Sequence, residues 1–201
     1  MKRYNLKLFF VSFLILLADQ ISKLYVKGFY LQLFDFEHSG LPQNRSIPVI
    51  DKLFYITPVE NPGIAFGIDF GPEFKTFISV ITILATLALV IYFFSIKKED
   101  KFIRLSVAVI LGGAMGNLID RVFYGYFYGY ASILSGNVVD FLDLRLFSFF
   151  LMNKTFSIYV FNIADIAITL GIIAFLYAVS KKRKETDTAE TADVENSLSV
   201  D

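Results

Sequence analysis

Residues 159–179 read YVFNIADIAITLGIIAFLYAV. The run is long and apolar enough to cross a bilayer, which takes about 20 residues. Asp165 is its only charge, and a carboxylate at the centre of a membrane helix costs on the order of 2.5–3.5 kcal/mol on insertion scales. If this run is a membrane helix, the acid must face something other than lipid. Three more runs share its character: about 6–26 (LKLFFVSFLILLADQISKLYV), 74–96 (FKTFISVITILATLALVIYFFSI) and 102–121 (FIRLSVAVILGGAMGNLIDR). Four transmembrane helices are therefore expected.

The whole chain agrees with that reading. Its 201 residues are 55% hydrophobic, with 23 Phe and 11 Tyr, and the mean hydropathy is +0.58. That is too apolar for a soluble domain of this size. A formal charge of zero gives no basic field for nucleic acid. The lack of Cys removes disulfides, thiolate metal sites and a Cys nucleophile together. The single histidine, His38, lies in the polar stretch FEHSGLPQNR and reads as a solvated loop residue. The first apolar run, after MKRYNLK, imitates a secretory signal peptide. No small-residue cleavage site follows it, and Asp19-Gln20 interrupts where one would fall, so it reads as a retained helix.

Basic residues set the orientation. Lys2, Arg3 and Lys7 precede the first run, Lys97, Lys98, Lys101 and Arg104 join the second to the third, and Lys181, Lys182, Arg183 and Lys184 follow the fourth. Eleven of the 19 Lys and Arg thus fall in short segments on one side, which the positive-inside rule makes cytoplasmic. Both termini are then cytoplasmic, and the connections 27–73 and 122–158 face outward. Residues 47–70 (IPVIDKLFYITPVENPGIAFGIDF) read as two or three short strands with a tight turn near Asn61-Pro62-Gly63. Residues 122–136, rich in Tyr and Phe, suit a membrane interface. Residues 1–184 form one membrane-embedded domain, and 185–201, with six acids and no aromatics, read as a disordered acidic tail.

At 1.5 Å per residue, Asp19 lies about 18 Å from the Lys7 end of the first helix, and Asp120 and Asp165 each lie about 24 Å from their basic ends. With a hydrocarbon core near 30 Å, all three fall in the outer half. Acids at similar depth on three helices point to a shared polar pocket. Asn117 and Asp120 are spaced i,i+3, as are Asn162 and Asp165, while Asp19 and Lys23 are an i,i+4 ion pair in the favourable order. Plainer readings stand beside these. Asp19–Lys23 reads equally well as an interfacial pair, Asn162 as a helix-to-helix hydrogen bond, and Arg121 as a snorkelling anchor at its helix end. Gly112 and Gly116 read as packing, and Asp143 as a solvated partner of Arg145.

Carboxylates, asparagines and an arginine leave one chemistry that needs neither metal nor covalent intermediate. Two carboxyl groups sharing a proton can activate water and polarise a carbonyl, as in aspartic proteases. Asp140, in the outer stretch NVVDFLDL, and Asp165 are the pair. A proton-coupled transporter would also bury acids, though near the midplane and within repeats, and no repeat is visible. A metal-dependent transferase using clustered Asp is a second rival, separable by chelation.

The blocks DQISK (19–23), NPGIAFG (61–67), GGAMGNLIDR (112–121), VVDF (138–141) and FNIAD (161–165) resemble, in order, those of the lipoprotein signal peptidase (signal peptidase II) family. The resemblance implies an all-α, four-helix bacterial inner-membrane aspartic endopeptidase with a small extracytoplasmic β-cradle. It implies cleavage of prolipoproteins just before a diacylglyceryl-modified cysteine. It places the catalytic dyad at Asp140 and Asp165, and supporting residues at Asp19, Lys23, Asn61, Gly63, Ala65, Asn117, Asp120, Arg121 and Asn162. By analogy, Asn61, Asn117 and Arg121 hold the substrate backbone and Asn162 orients the dyad. It implies no cofactor, no metal, no nucleic acid and no obligate protein partner; lipid and the lipidated substrate are the partners. The outer stretches 34–50, 122–137 and 144–158 are longer than the family pattern leads one to expect.

Overall fold

The computed structural model describes residues 3–63, 71–145, 149–151, 154–156 and 160–198. Ala65, and with it most of the NPGIAFG block, lies outside the described residues. Four helices are long and apolar enough to cross a membrane, over Lys7–Lys27, Glu73–Ser95, Lys101–Phe127 and Ile163–Thr188. They belong to α1 (Arg3–Lys27), α2 (Pro72–Ser95), α3 (Lys101–Ile119, continued below) and α5 (Ile163–Leu198). α3 is central and packs against the other three.

The packing follows from residue size. Lipid tails are as apolar as Leu, so helices associate through close approach and internal hydrogen bonds instead of water exclusion. α1 turns Leu8, Ser12, Asp19, Lys23 and Val26 inward at helical spacing, and the Ser12 hydroxyl donates to the Ala108 carbonyl of α3 at 2.6 Å. A Cβ on Gly112 would meet the Ser12 carbonyl oxygen at 2.7 Å, and one on Gly116 would collide with the Asp19 carboxylate. These two glycines let α1 lie directly on α3. Below them Leu8, Phe93, Ile96, Ile103, Val107, Ala108, Leu111 and Ala178 form one apolar core.

The third span does not stop at Arg121, as its sequence suggests. It passes into one π-helical turn, Asp120–Tyr124, and a last α turn, α4 (Gly125–Phe127). The loop that follows folds back on this end, with Leu134 N donating to Val122 O and Gly136 N to Arg121 O, each at 3.0 Å. Those carbonyls are satisfied from outside the helix, which lets the turn widen. π-turns of this kind recur at functional sites.

The connections between the first and second and between the third and fourth spans form small antiparallel sheets. β1 (Phe29–Leu31) and β2 (Phe36–His38) make a hairpin directly after α1. His38 therefore belongs to a strand and stacks on Tyr25, in place of the solvated loop position expected of it. β3 (Ile47–Ile50), β4 (Phe54–Asn61), β5 (Val138–Leu144) and β8 (Val160–Phe161) form a four-stranded sheet in that spatial order. β6 (Phe149–Leu151) and β7 (Lys154–Phe156) pair separately. The β4–β5 register slips between Ile56 and Val59, around Pro58, whose ring removes a ladder donor. Beyond the slip Asn61 lies opposite Val138 and Val59 opposite Asp140.

At the other end, α5 continues to Leu198, so the acidic stretch expected to be disordered is helical that far. Its Ala, Glu and Leu residues are good helix formers, though Thr, Asp, Asn and Ser among them are not, and i,i+4 pairs such as Lys181–Glu185 (3.8 Å) support it. Lys182 reaches Glu99 at 2.6 Å, bringing the basic end of α5 to the α2–α3 connection.

Candidate functional site

The site forms where the sheet hands over to α5. Leu142 pairs with Phe161 and Asp143 with Val160, and Asn162 follows before the helix begins at Ile163. Asn162 is the N-cap. Its Oδ1 accepts from the Asp165 backbone N–H at 3.0 Å, and the Asp165 carboxylate accepts from the Asn162 N–H at 3.1 Å. This is a reciprocal capping box. Asp165 therefore occupies the first turn of α5, where the helix dipole favours an acid. That placement resolves the expense of a carboxylate in an apolar run.

Asp140, on β5, is buried. One of its oxygens accepts from Asn162 Nδ2 at 2.7 Å and the other from Asn61 Nδ2 at 3.0 Å. Asn162 thus holds Asp140 with its side chain and Asp165 with its backbone. Asn117 of α3 donates its Nδ2 to Asp165 at 2.9 Å. Asn61 and Asn117 thus each touch one of the two carboxylates. Asn61 also accepts from Gly63 N at 2.8 Å. Gly63 sits at φ +105, and a Cβ there would lie 2.7 Å from the Arg121 guanidinium, so glycine serves both the turn and the approach of Arg121.

Beneath the pair lies a buried charge network. The Lys23 ammonium donates to Asp19 at 2.8 Å, Asp120 at 2.9 Å and Asn117 Oδ1 at 2.9 Å, one acceptor for each of its protons. Asp19 also accepts from the Ala164 N–H of α5 at 2.9 Å, and Asp120 from the Val139 N–H of β5 at 3.1 Å. The network fixes α1, α3, β5 and α5 together. It is fully buried, so Asp19–Lys23 is no interfacial pair. Because Asn117 Oδ1 accepts from Lys23 and from Asn162 Nδ2 at 3.1 Å, its amide N–H groups are left to face Asp165.

Gln20, which the sequence reading passed over, completes the frame. Its Nε2 donates to Asp120 at 2.9 Å and the Gly116 carbonyl at 3.1 Å, and its Oε1 accepts from the Tyr124 hydroxyl at 3.1 Å. An amide inside an apolar helix was the available signal. Lys27 pairs with Glu60 and lies 4.4 Å from the centre of the Tyr128 ring. Asp143 does pair with Arg145, at 2.6 Å, but is buried where exposure was expected. Its strand lies inside the sheet, and Thr57 of β4 donates to it at 2.8 Å.

Burial pushes the Asp140 carboxyl up to about 7; the Asn61 and Asn162 donors pull it down, and the nearby Asp165 charge adds to the rise. The unfolded chain would release this proton near 3.8. Between about pH 4 and 7 the folded state therefore holds more protons than the unfolded one, so stability falls as pH rises through this window and levels off above it. The melting midpoint in detergent is expected to be lower at pH 8 than at pH 5, and that difference is expected to shrink in Asp140→Asn.

An open groove of about 290 Å³, lined by Phe161, Asp165, Ile166, Thr169 and Leu170, runs from Asp165 along the outer flank of α5. Ile166 and Leu170 are exposed on a helix of membrane-spanning length.

Four membrane-length helices with acids and amides gathered at one end define the class: an integral-membrane enzyme. The chain belongs to the signal peptidase (SPase) II family, whose model matches residues 11–181, and it is a peptidase. It is 36% identical over 163 residues to a lipoprotein signal peptidase of Moorella thermoacetica, covering 81% of this chain and 85% of that one. It is 33% identical over 175 residues to a lipoprotein signal peptidase of Syntrophus aciditrophicus, covering 86% and 91%. Two bacterial membrane enzymes solved by the in meso method share its fold. The structure at 2.3 Å resolution has a TM-score of 0.64 at 28% identity, covering 89% of this chain and 90% of that one. The structure at 1.9 Å has a TM-score of 0.61 at 29% identity, covering 86% and 92%.

Proposed function

We propose that this chain removes the signal peptide from bacterial prolipoproteins, cutting before the diacylglyceryl-modified cysteine with Asp140 and Asp165 as the catalytic pair. The observation that carries this is Asn162, which hydrogen-bonds to both carboxyl groups at once. The pair shares one proton. Burial favours its residence on Asp140, which leaves Asp165 to take a proton from water. The water oxygen attacks the scissile carbonyl carbon while Asp140 hydrogen-bonds to the carbonyl oxygen. The tetrahedral intermediate then collapses, the C–N bond breaks, and Asp165 passes the proton it took from water to the departing amine, which restores the pair.

The groove beside Asp165 supports lateral access. A substrate anchored by two acyl chains arrives within the leaflet, and Ile166 and Leu170 offer an apolar path to the carboxylates. The basic ends of the helices gather opposite the site, which supports cytoplasmic termini and a site facing the outer leaflet of the inner membrane. Cleavage by purified enzyme is expected before the cysteine of a lipidated precursor, not of its unlipidated form, and undiminished by EDTA. Loss of activity with EDTA would point to a metal hydrolase instead. For orientation, Glu185→Cys is expected to resist an impermeant maleimide in intact cells and to react after lysis; the chain has no Cys to confuse the result.

A further inference from the structure

The hairpin of β1 and β2 takes no part in the chemistry, yet its tip is among the most exposed apolar surface of the molecule. Leu33 is 86% and Phe34 74% exposed. The register places Phe29 opposite His38, Tyr30 opposite Glu37 and Leu31 opposite Phe36. Side chains alternate across a ribbon, so Phe29, Leu31, Phe36 and His38 share one face. Tyr30 and Glu37 occupy the other, where the Tyr30 hydroxyl donates to Asp35 at 2.8 Å. The ribbon is thus two-sided, apolar on one face and polar on the other.

The apolar face has a fixed direction. His38 stacks on Tyr25 with ring centroids 4.9 Å apart, and its Nε2 donates to the Tyr25 carbonyl at 2.8 Å in the last turns of α1. Tyr25 ends the exposed stripe Phe10, Leu14, Leu17, Ile21 and Tyr25, spaced three or four residues apart along a membrane-length helix. The face of the ribbon that carries His38 is therefore joined to the lipid-facing stripe of α1. We infer that the β1–β2 hairpin is an interfacial anchor, seating Phe29, Leu31, Leu33, Phe34 and Phe36 in the outer-leaflet lipid surface. The polar face then remains toward water, and the outer end of α1 is held at a fixed depth. Aromatic and aliphatic side chains opposite a polar face suit the boundary between headgroups and acyl chains.

The chain contains no Trp, so a single introduced one reports its own surroundings. Leu33→Trp and Phe34→Trp would be compared with Glu37→Trp in the full-length enzyme, reconstituted in phosphatidylethanolamine–phosphatidylglycerol vesicles. The tip variants are expected to emit to the blue and to be quenched severalfold more by lipids brominated high in the acyl chain than Glu37→Trp. Because Trp itself favours interfaces, Leu33→Cys carrying a nitroxide provides a second reading; its relaxation is expected to respond more to oxygen than to a water-soluble nickel chelate. Emission like that of Trp in water, with free access to acrylamide and nickel, would overturn the anchor. Blue emission quenched from neither phase would overturn it too, since protein or a second copy would then cover the tip. Neither readout depends on proteolysis, so this inference and the proposed cleavage stand or fall separately.

Discussion

Asp140→Asn and Asp165→Asn are each expected to reduce turnover of a lipidated precursor by on the order of 10²–10⁴-fold, the range of a lost general acid or base. The loss should fall on kcat, because Asp140→Asn leaves the lining of the groove along α5 untouched and Asp165→Asn keeps the size of its one acidic side chain, with Phe161, Ile166, Thr169 and Leu170 unchanged. The two variants differ in their local consequences. At Asp140 both oxygens accept from amide N–H groups, of Asn61 and Asn162. An Asn there can accept through its single oxygen but turns an N–H toward the other donor. Removing a buried carboxylate offsets part of that mismatch. At Asp165 the oxygens accept from Asn117 and from the Asn162 backbone, so the change also weakens the cap of α5, by about 1 kcal/mol. Measuring the melting midpoint beside kcat separates lost chemistry from lost fold. Near-normal turnover in either variant would end the case for a two-carboxyl mechanism.

How much of this could be read in the chain depends on the range of the interaction. Asp19, Asp120 and Asp165 were legible as a cluster at one depth because helical rise converts sequence number into depth. The Asn162–Asp165 pair was legible as neighbours, but not as a cap. Val160 and Phe161 are apolar, so they read as membrane helix, whereas they pair with Leu142 and Asp143 on β5. That pairing joins residues far apart in sequence, and no local pattern announces it. The same reason hid the burial of Asp143. The π-turn was hidden because it is supported by a later loop, whose Leu134 and Gly136 donate to Val122 and Arg121. The hairpin escaped because Asp35 and Gln32 interrupt its alternation at the turn. Sequence showed which polar groups need partners; the sheet decided which partners they have.

Lys23→Met is expected to cost about 3–5 kcal/mol, the range for breaking a buried ion pair from one side. Lys23 is fully buried and its ammonium gives one hydrogen bond each to Asp19, Asp120 and Asn117. Methionine fills the space but leaves two carboxyl groups without their cation. They must then remain charged in a dry site or take up protons. Asp19 and Asp120 also receive the Ala164 and Val139 N–H groups, so the disturbance reaches both α5 and β5. Activity is expected to fall further than stability alone explains, since Asn117 loses the charged one of the two donors, Lys23 and Asn162, that turn its amide toward Asp165. A triple variant, Lys23→Met with Asp19→Asn and Asp120→Asn, tests the electrostatic origin. Neutralising all three charges together is expected to recover part of the stability, because no isolated charge remains buried. Turnover should remain lower than wild type in it, as Asn117 is then oriented by Asn162 alone. Denaturation of all three proteins in one detergent supplies the comparison; Lys23→Met as stable as the wild type would show that the network does not hold the four elements together.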